Sequence, residues 1–242
     1  MNQLIRSMKS LIPLFSVAAL ACSAQFASAG DVSGKITLKG TPKPEVPIDL
    51  GPECGKLNPT KQTTRHYVVG KDGGLANVFV YIKDAKKADA TGAAPTLDQL
   101  GCVYEPYVMG VVTGQPFKIK NSDATFHNVH ATPKEGKGNK EFNQAQPAGS
   151  PDLSKSFDKP EILVRMKCDV HPWMFAYIGV CEHPYFAVSD KDGNFKISGL
   201  PDGKYTIVAY HLKTHGAASE GIAKPIEVKG ATTQDFTVEL AQ

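Results

Sequence analysis

The chain has 242 residues, with 27 Lys+Arg against 24 Asp+Glu. The formal charge of +3 provides no basic field of the kind nucleic-acid binding needs. Gly (22) and Pro (17) are frequent, apolar runs are short and alternating, and no long helical period appears. That pattern points to an all-β protein of one or two domains.

The first residues read as an export signal. Arg6 and Lys9 form a basic start, Leu11 to Cys22 an apolar stretch, and Ala27-Ser28-Ala29 a small-residue cleavage site. Cleavage after Ala29 would leave 213 residues (242 minus 29). The signal holds two basic and no acidic residues, so the mature balance is 25 to 24, or +1. A lipoprotein anchored through Cys22 is the competing reading. No second apolar stretch follows, so a periplasmic or secreted protein without a membrane span is expected.

Strand signals follow at Val32 to Leu38 and at Ala76 to Ile82. In the second, Val78, Val80 and Ile82 alternate with Phe79 and Tyr81. Lys83 to Thr96 is a polar connection. Phe117 to His127 reads as a strand. Thr132 to Pro160, rich in Gly, Pro, Lys and Ser, should be mostly loop, with Phe142 and Phe157 as anchors. Leu163 to Met166 enters a seven-residue loop, Cys168-Asp-Val-His171-Pro-Trp-Met174, and Ala176 to Val180 leaves it.

This loop carries the chemistry. A thiolate, an imidazole and a thioether recur at intervals of three residues, and a tight turn between strands can aim all three at one point. His127, in Phe126-His127-Asn128, supplies a second imidazole. Cys, two His and a weak axial Met form the donor set of a trigonal copper site that passes single electrons. Structural zinc seldom uses Met. Copper enzymes need additional His clusters, which this chain lacks, so a non-enzymatic carrier is expected. His130 lies three residues from His127 and should face the other way along a strand. His211 and His215 could pair at a strand end; His66 and His183 carry no local signal. Lys134, Lys137 and Lys140 read as a solvated loop.

Four cysteines remain after cleavage: Cys54, Cys102, Cys168 and Cys181. With Cys168 set aside for metal, the odd number left favours a Cys54–Cys102 disulfide, with Cys181 a buried thiol. Closing so long a loop contributes about 4 kcal/mol in the chain-entropy model. Pairing of Cys181 with Cys54 or Cys102 remains open.

From Pro184 onward the pattern is a β meander. Tyr185 to Val188 and Asn194 to Ile197 flank Asp192-Gly193, a hairpin signal. Asp190-Lys-Asp192-Gly193 falls short of a calcium loop and reads as turn chemistry. Lys204 to Tyr210, Ile226/Val228 and Phe236/Val238/Leu240 complete the strands.

Two resemblances follow. Gly101 to Val180 resembles a cupredoxin, and is most similar to the amicyanin pattern Cys-x-x-His-Pro-aromatic-Met, with Phe126-His127-Asn128-Val129-His130 as the first-ligand segment. The resemblance implies one copper per chain, cycling between Cu(I) and Cu(II), with His127, Cys168, His171 and Met174 as ligands. It implies that Asn128 ties the His127 strand to the loop. Val170 stands where such loops can carry Pro, and its N–H is free to bond the thiolate. Ser189 to Tyr205 resembles the carboxypeptidase regulatory-like β-sandwich.

The expected architecture is therefore a cupredoxin Greek-key β-barrel nested in, or adjacent to, a small sandwich. Its divisions are 1–29 signal, 30–99 first sandwich strands, 100–182 copper domain and 183–242 remaining sandwich. The expected function is a monomeric, exported electron carrier serving a dehydrogenase, cytochrome or oxidase, docked through Pro172, Trp173 and Phe175 around His171. The alternatives are a glycan- or protein-binding module with accessory copper, and a copper-dependent enzyme.

Overall fold

In the computed structural model, residues 28–213 and 221–240 are described. The apolar part of the export signal, Cys22 and His215 lie outside them. Among the described residues, no helix is long and apolar enough to cross a membrane.

The chain is nearly all β, and its strands divide between two cores. The first core lies between two four-stranded sheets. In one, Ala29–Lys39 pairs antiparallel with Asn194–Pro201 and parallel with Thr232–Thr233 and Phe236–Glu239. In the other, the order is Phe186–Val188, Phe79–Ile82, Gly203–Tyr210 and Ile222–Val228, all antiparallel. Alternation along these strands sends Val32, Ile36, Val80, Ile82, Ile207 and Phe236 between the sheets.

The second core lies between a five-stranded and a four-stranded sheet. The five-stranded sheet runs Val108–Val112, Phe175–Cys181, Glu161–Lys167, His127–Thr132 and Phe142–Gln146. The other runs Tyr104–Glu105, Thr96–Gln99, Phe117–Asn121 and Leu153–Lys155. Leu97, Phe117, Ile119, Val129, Val164 and Ile178 fill the space between them. The short helix Gly51–Leu57 also belongs to this core, because Leu50 and Cys54 are buried in it. That segment lies within 30–99, so the second core takes residues from both sides of the expected boundary at 99.

The two halves meet through aromatic rings. Phe79, on the face of its strand opposite to Val80 and Ile82, packs with Tyr107, Val108, Cys181 and Tyr210. Gly110 and Gly179 are register partners on neighbouring strands. A Cβ at Gly179 would lie 2.3 Å from the Phe79 ring, and one at Gly110 2.3 Å from the Phe186 ring. These glycines thus form a trough that only hydrogen can line.

One local expectation is corrected. Asp192-Gly193 does form a turn, with Gly193 at φ 83° and Asp190 Oδ1 accepting from the N–H groups of Asp192 and Asn194. The strands it joins are not a hairpin, since Phe186–Val188 pairs with Phe79–Ile82 and Asn194–Pro201 with Ala29–Lys39. The turn passes the chain from one sheet to the other. Between Thr132 and Pro160 the chain is mostly loop, as expected, with Phe157 buried and Phe142 partly buried in the second core, and it also forms two short strands, Phe142–Gln146 and Leu153–Lys155. Both end their sheets, where one strand edge is unpaired and a polar sequence is tolerated.

Candidate metal centre

His127 opens the His127–Thr132 strand and is fully buried, and Cys168 follows the Glu161–Lys167 strand. These strands are antiparallel neighbours, with Lys167 opposite His130. The loop after Cys168 is closed by two backbone bonds, Met174 N–H to His171 O (2.9 Å) and Cys168 N–H to Met174 O (3.1 Å). This turn brings His171 back over Cys168 and inserts Met174, fully buried, into the same core.

The ligating atoms of His127, Cys168 and His171 all lie within 4.8 Å of one another. His127 Nδ1 is 3.0 Å from His171 Nδ1, and Cys168 Sγ is 3.8 Å from His171 Nδ1. Both imidazoles therefore face the sulfur through the same ring nitrogen.

Asp123 fixes that choice, and nothing in the sequence singles it out beyond its place four residues before His127. Its Oδ2 lies 2.9 Å from His127 Nε2, and its carboxylate also accepts the N–H groups of Gly101 (2.6 Å) and Cys102 (2.8 Å). Gly101 and Cys102 both adopt positive φ, 66° and 55°, and their successive N–H groups converge on the one anion. Burial alone would raise the Asp123 carboxyl, but His127 and the two N–H groups hold it below its ordinary range. An ionised carboxylate only accepts, so His127 must donate through Nε2 and present Nδ1 to the cluster. Burial works against a charged His127, yet its bonds to Asp123 and Cys168 push its pKa up to about 9.

The sulfur is prepared in a similar way. Burial raises the Cys168 thiol, but the His127 side chain and the N–H groups of Asn128, His171 and Val170 outweigh it, and the net shift is downward. A lowered pKa favours thiolate, the form that binds metal. Asn128 Oδ1 accepts from Asp169 N–H (2.8 Å) and lies 3.3 Å from Cys168 Sγ, while its Nδ2 donates to Asn143 and Asp169. Tyr104, fully buried, donates to the Asn128 carbonyl (2.8 Å). The strand bearing one imidazole is thereby tied to the loop bearing the other donors.

The remaining candidates are placed as follows. Cys54 and Cys102 form a disulfide, and Cys168 and Cys181 are free and buried. Burial pushes the Cys181 thiol up to about 12, which leaves it inert. His130 bridges Asp169 and Glu141 at the surface. His183 and His211 are buried, and His66 is half-buried beside a cleft. Trp173 is half-buried, and its indole N–H donates to the Cys102 carbonyl (2.9 Å), so it braces the loop from inside. Phe175 lies beneath the Arg165 guanidinium. Of the expected docking trio only Pro172 is exposed; Val170 and Phe126, 50% and 43% exposed, add apolar surface beside the site.

A soft donor set, a fixed tautomer and a stabilised thiolate suit a copper ion. No protein-family model matches the chain, and no curated protein does. Among solved structures, it is similar to a copper-containing nitrite reductase from Thermus scotoductus SA-01 (20% identity, 40% of this chain, TM-score 0.33), and it spans only 24% of that chain. It is also similar to a Cu(I) amicyanin variant (20% identity, 42% of this chain and 97% of that one, TM-score 0.32) and to an oxidised amicyanin variant (21% identity, the same coverage and TM-score). At such scores these likenesses carry no weight, and the site stands on its own geometry.

Proposed function

We propose that this chain is an exported electron carrier that holds one copper ion through His127, Cys168 and His171, with Met174 as a weak fourth ligand. The observation that carries the reading is the meeting of two imidazoles and one thiolate-favouring sulfur within 4.8 Å. Copper would supply a one-electron couple between Cu(I) and Cu(II), and the chain's residues fix the conditions for it. Asp123 holds His127 in one tautomer and orientation. Asn128 and the N–H of Val170 stabilise charge on the sulfur. The loop is pinned by its own backbone bonds and by Trp173, so the donors have little freedom to rearrange between oxidation states. A rigid site of this kind costs little to reorganise on electron transfer.

In this reading the chain is a cupredoxin of amicyanin-like loop pattern, resident in the periplasm or secreted, and the first core belongs to a regulatory-like sandwich interrupted by the copper half. Redox proteins are its partners, and it acts as a monomer without an enzymatic reaction of its own. The test is the visible spectrum of the copper-loaded, oxidised protein. We expect one copper per chain and an intense thiolate-to-Cu(II) band that is lost in Cys168→Ser while the fold survives. A wild-type protein that takes up zinc but gives no coloured Cu(II) form would overturn the reading.

A further inference from the structure

The Cys54–Cys102 disulfide lies against the metal centre rather than at a distance from it. The two sulfurs and a ring nitrogen of His171 fall within 4.8 Å of one another, and so do Cys102, Asp123 and His127. Both cysteines are fully buried, 1% and 0% exposed. The Cys102 backbone is fastened to the same centre, through its N–H to Asp123 and its carbonyl to Trp173. Three sulfurs and two imidazoles therefore crowd one region, and the disulfide removes two of those sulfurs as ligands, since it is the thiolate that binds metal.

We propose that Cys54, Cys102 and His171 form a second, latent metal site for a soft ion, which the disulfide keeps closed. Opening it requires a dithiol reductant. The disulfide takes up two electrons and two protons, giving two thiols, and the reductant leaves as its own disulfide. Each thiol then releases its proton to bind the ion, and the ion's oxidation state does not change. An ion seated there competes for His171 with the Cys168 centre. Because the sulfurs are buried, an external thiol reaches them only in an unfolded or partly folded chain. The decision therefore falls during maturation: a chain that closes its disulfide first offers a metal one thiolate, and a chain that meets a soft ion first offers a rival pair. The oxidising compartment implied by export favours the former order. This site shares only His171 with the proposed copper centre and is tested with Cys168 removed, so either reading can fail alone.

The experiment uses the mature full-length chain carrying Cys168→Ser, with Cd2+ as the probe. The disulfide-intact protein should bind no Cd2+ through sulfur. The same protein, denatured, reduced and refolded with Cd2+, should take up one ion, show a sulfur-to-cadmium charge-transfer band, and protect both Cys54 and Cys102 from alkylation. Adding His171→Ala should weaken uptake by about tenfold or more, the range seen when a metal site loses a supporting partner. A second arm reads the copper centre itself. Cys54→Ser, which leaves Cys102 as a free thiol beside His127 and His171, should alter the Cu(II) spectrum, and Cys54→Ser combined with Cys102→Ser should restore it. The proposal is overturned if the two thiols alkylate as fast with Cd2+ as without it, or if His171→Ala changes nothing. It is equally overturned if the reduced chain fails to refold with or without the ion, or, once the unsubstituted chain has given a coloured Cu(II) form, if the single and double serine variants give the same spectrum.

Discussion

The two halves of the molecule share a secondary-structure class and differ in what they bury. Between the sheets of the sandwich that holds Val32, Ile36, Ile207 and Phe236, the packing is aliphatic and aromatic. Among the described residues, eight of the eleven buried polar ones (Gln99, Asn121, Asp123, Thr125, His127, Asn128, Gln146 and Glu161) belong instead to the half that carries the proposed metal centre. These groups are not scattered. Gln99 Nε2 donates to Gln146 Oε1 (2.7 Å), Asn121 Nδ2 donates to the carbonyls of Thr125 and Gln146, and the Asp123 N–H donates to Asn121 Oδ1. A polar network at the end of a core costs stability if any member is left without a partner, and it fixes geometry when satisfied. One half is built for burial, the other for placing donors.

The sharpest way to break this contrast is at Asp123. Asp123→Ala strands His127 Nε2 and the N–H groups of Gly101 and Cys102 in a buried site. Removing one member of a buried charged pair costs about 3–5 kcal/mol, and the His127 tautomer is set free as well. We expect a large loss of stability in denaturant unfolding together with weakened copper binding, and Asp123→Asn should recover part of both. If copper affinity were unchanged, the carboxylate would have no role in orienting His127.

The opposite case is Ile36→Ala in the sandwich core, where a fully buried side chain is removed. The cost should be about 2–5 kcal/mol from lost burial and the cavity left behind. Stability should fall while the copper spectrum and affinity stay as they are. A change in the spectrum would show that the halves are coupled through the Gly110/Gly179 trough.

Asn128→Ala is the intermediate test. It leaves the three strong donors in place but removes the acceptor for Asp169 N–H and the link to Cys168. A loss of about 10–100-fold in copper affinity is expected, as for partners that orient metal ligands, with a smaller change in unfolding free energy. Affinity is measured by competition with a chelator.

How much of this was legible in the sequence follows from the range of the interactions. The donor loop was legible because Cys168, His171 and Met174 lie on one turn and their types are chemically restrictive. Asn128 was legible through the resemblance of Phe126-His127-Asn128-Val129-His130 to an amicyanin first-ligand segment. Asp123 was not, since what selects it is the pair of N–H groups at Gly101 and Cys102, which depends on how a distant turn packs. The Cys54–Cys102 bond could be reached by counting, whereas its contact with His171 could not. The Asp192-Gly193 turn shows the same limit: local chemistry specified the turn, and only long-range pairing decided that its two arms join different sheets. The inward role of Trp173 had no sequence signal, because Pro-Trp-Met reads equally well as an exposed edge.

The last and smallest effect concerns the surface over the loop. Val170 and Phe126 expose 50% and 43% of their surface beside the donor residues, and Pro172 is exposed next to His171. An apolar patch flanked by polar surface is a plausible contact for a partner that must leave after each transfer, and such contacts are small. Trp173 is bonded inward, so Trp173→Ala would disturb the donor loop as well as any contact and cannot isolate docking. Val170→Ser and Phe126→Ser are better suited, because both side chains are well exposed. Each should cost on the order of 1 kcal/mol of contact energy, read as slower electron exchange with a redox partner at unchanged copper content and spectrum. Lys134, Lys137 and Lys140 are exposed on the connection after the His127–Thr132 strand. Replacing all three should change the exchange rate less, and mainly at low ionic strength, where surface charges are least screened. If the lysine triple variant proved the slower and its salt dependence changed strongly, charge rather than the Val170–Phe126 patch would govern docking.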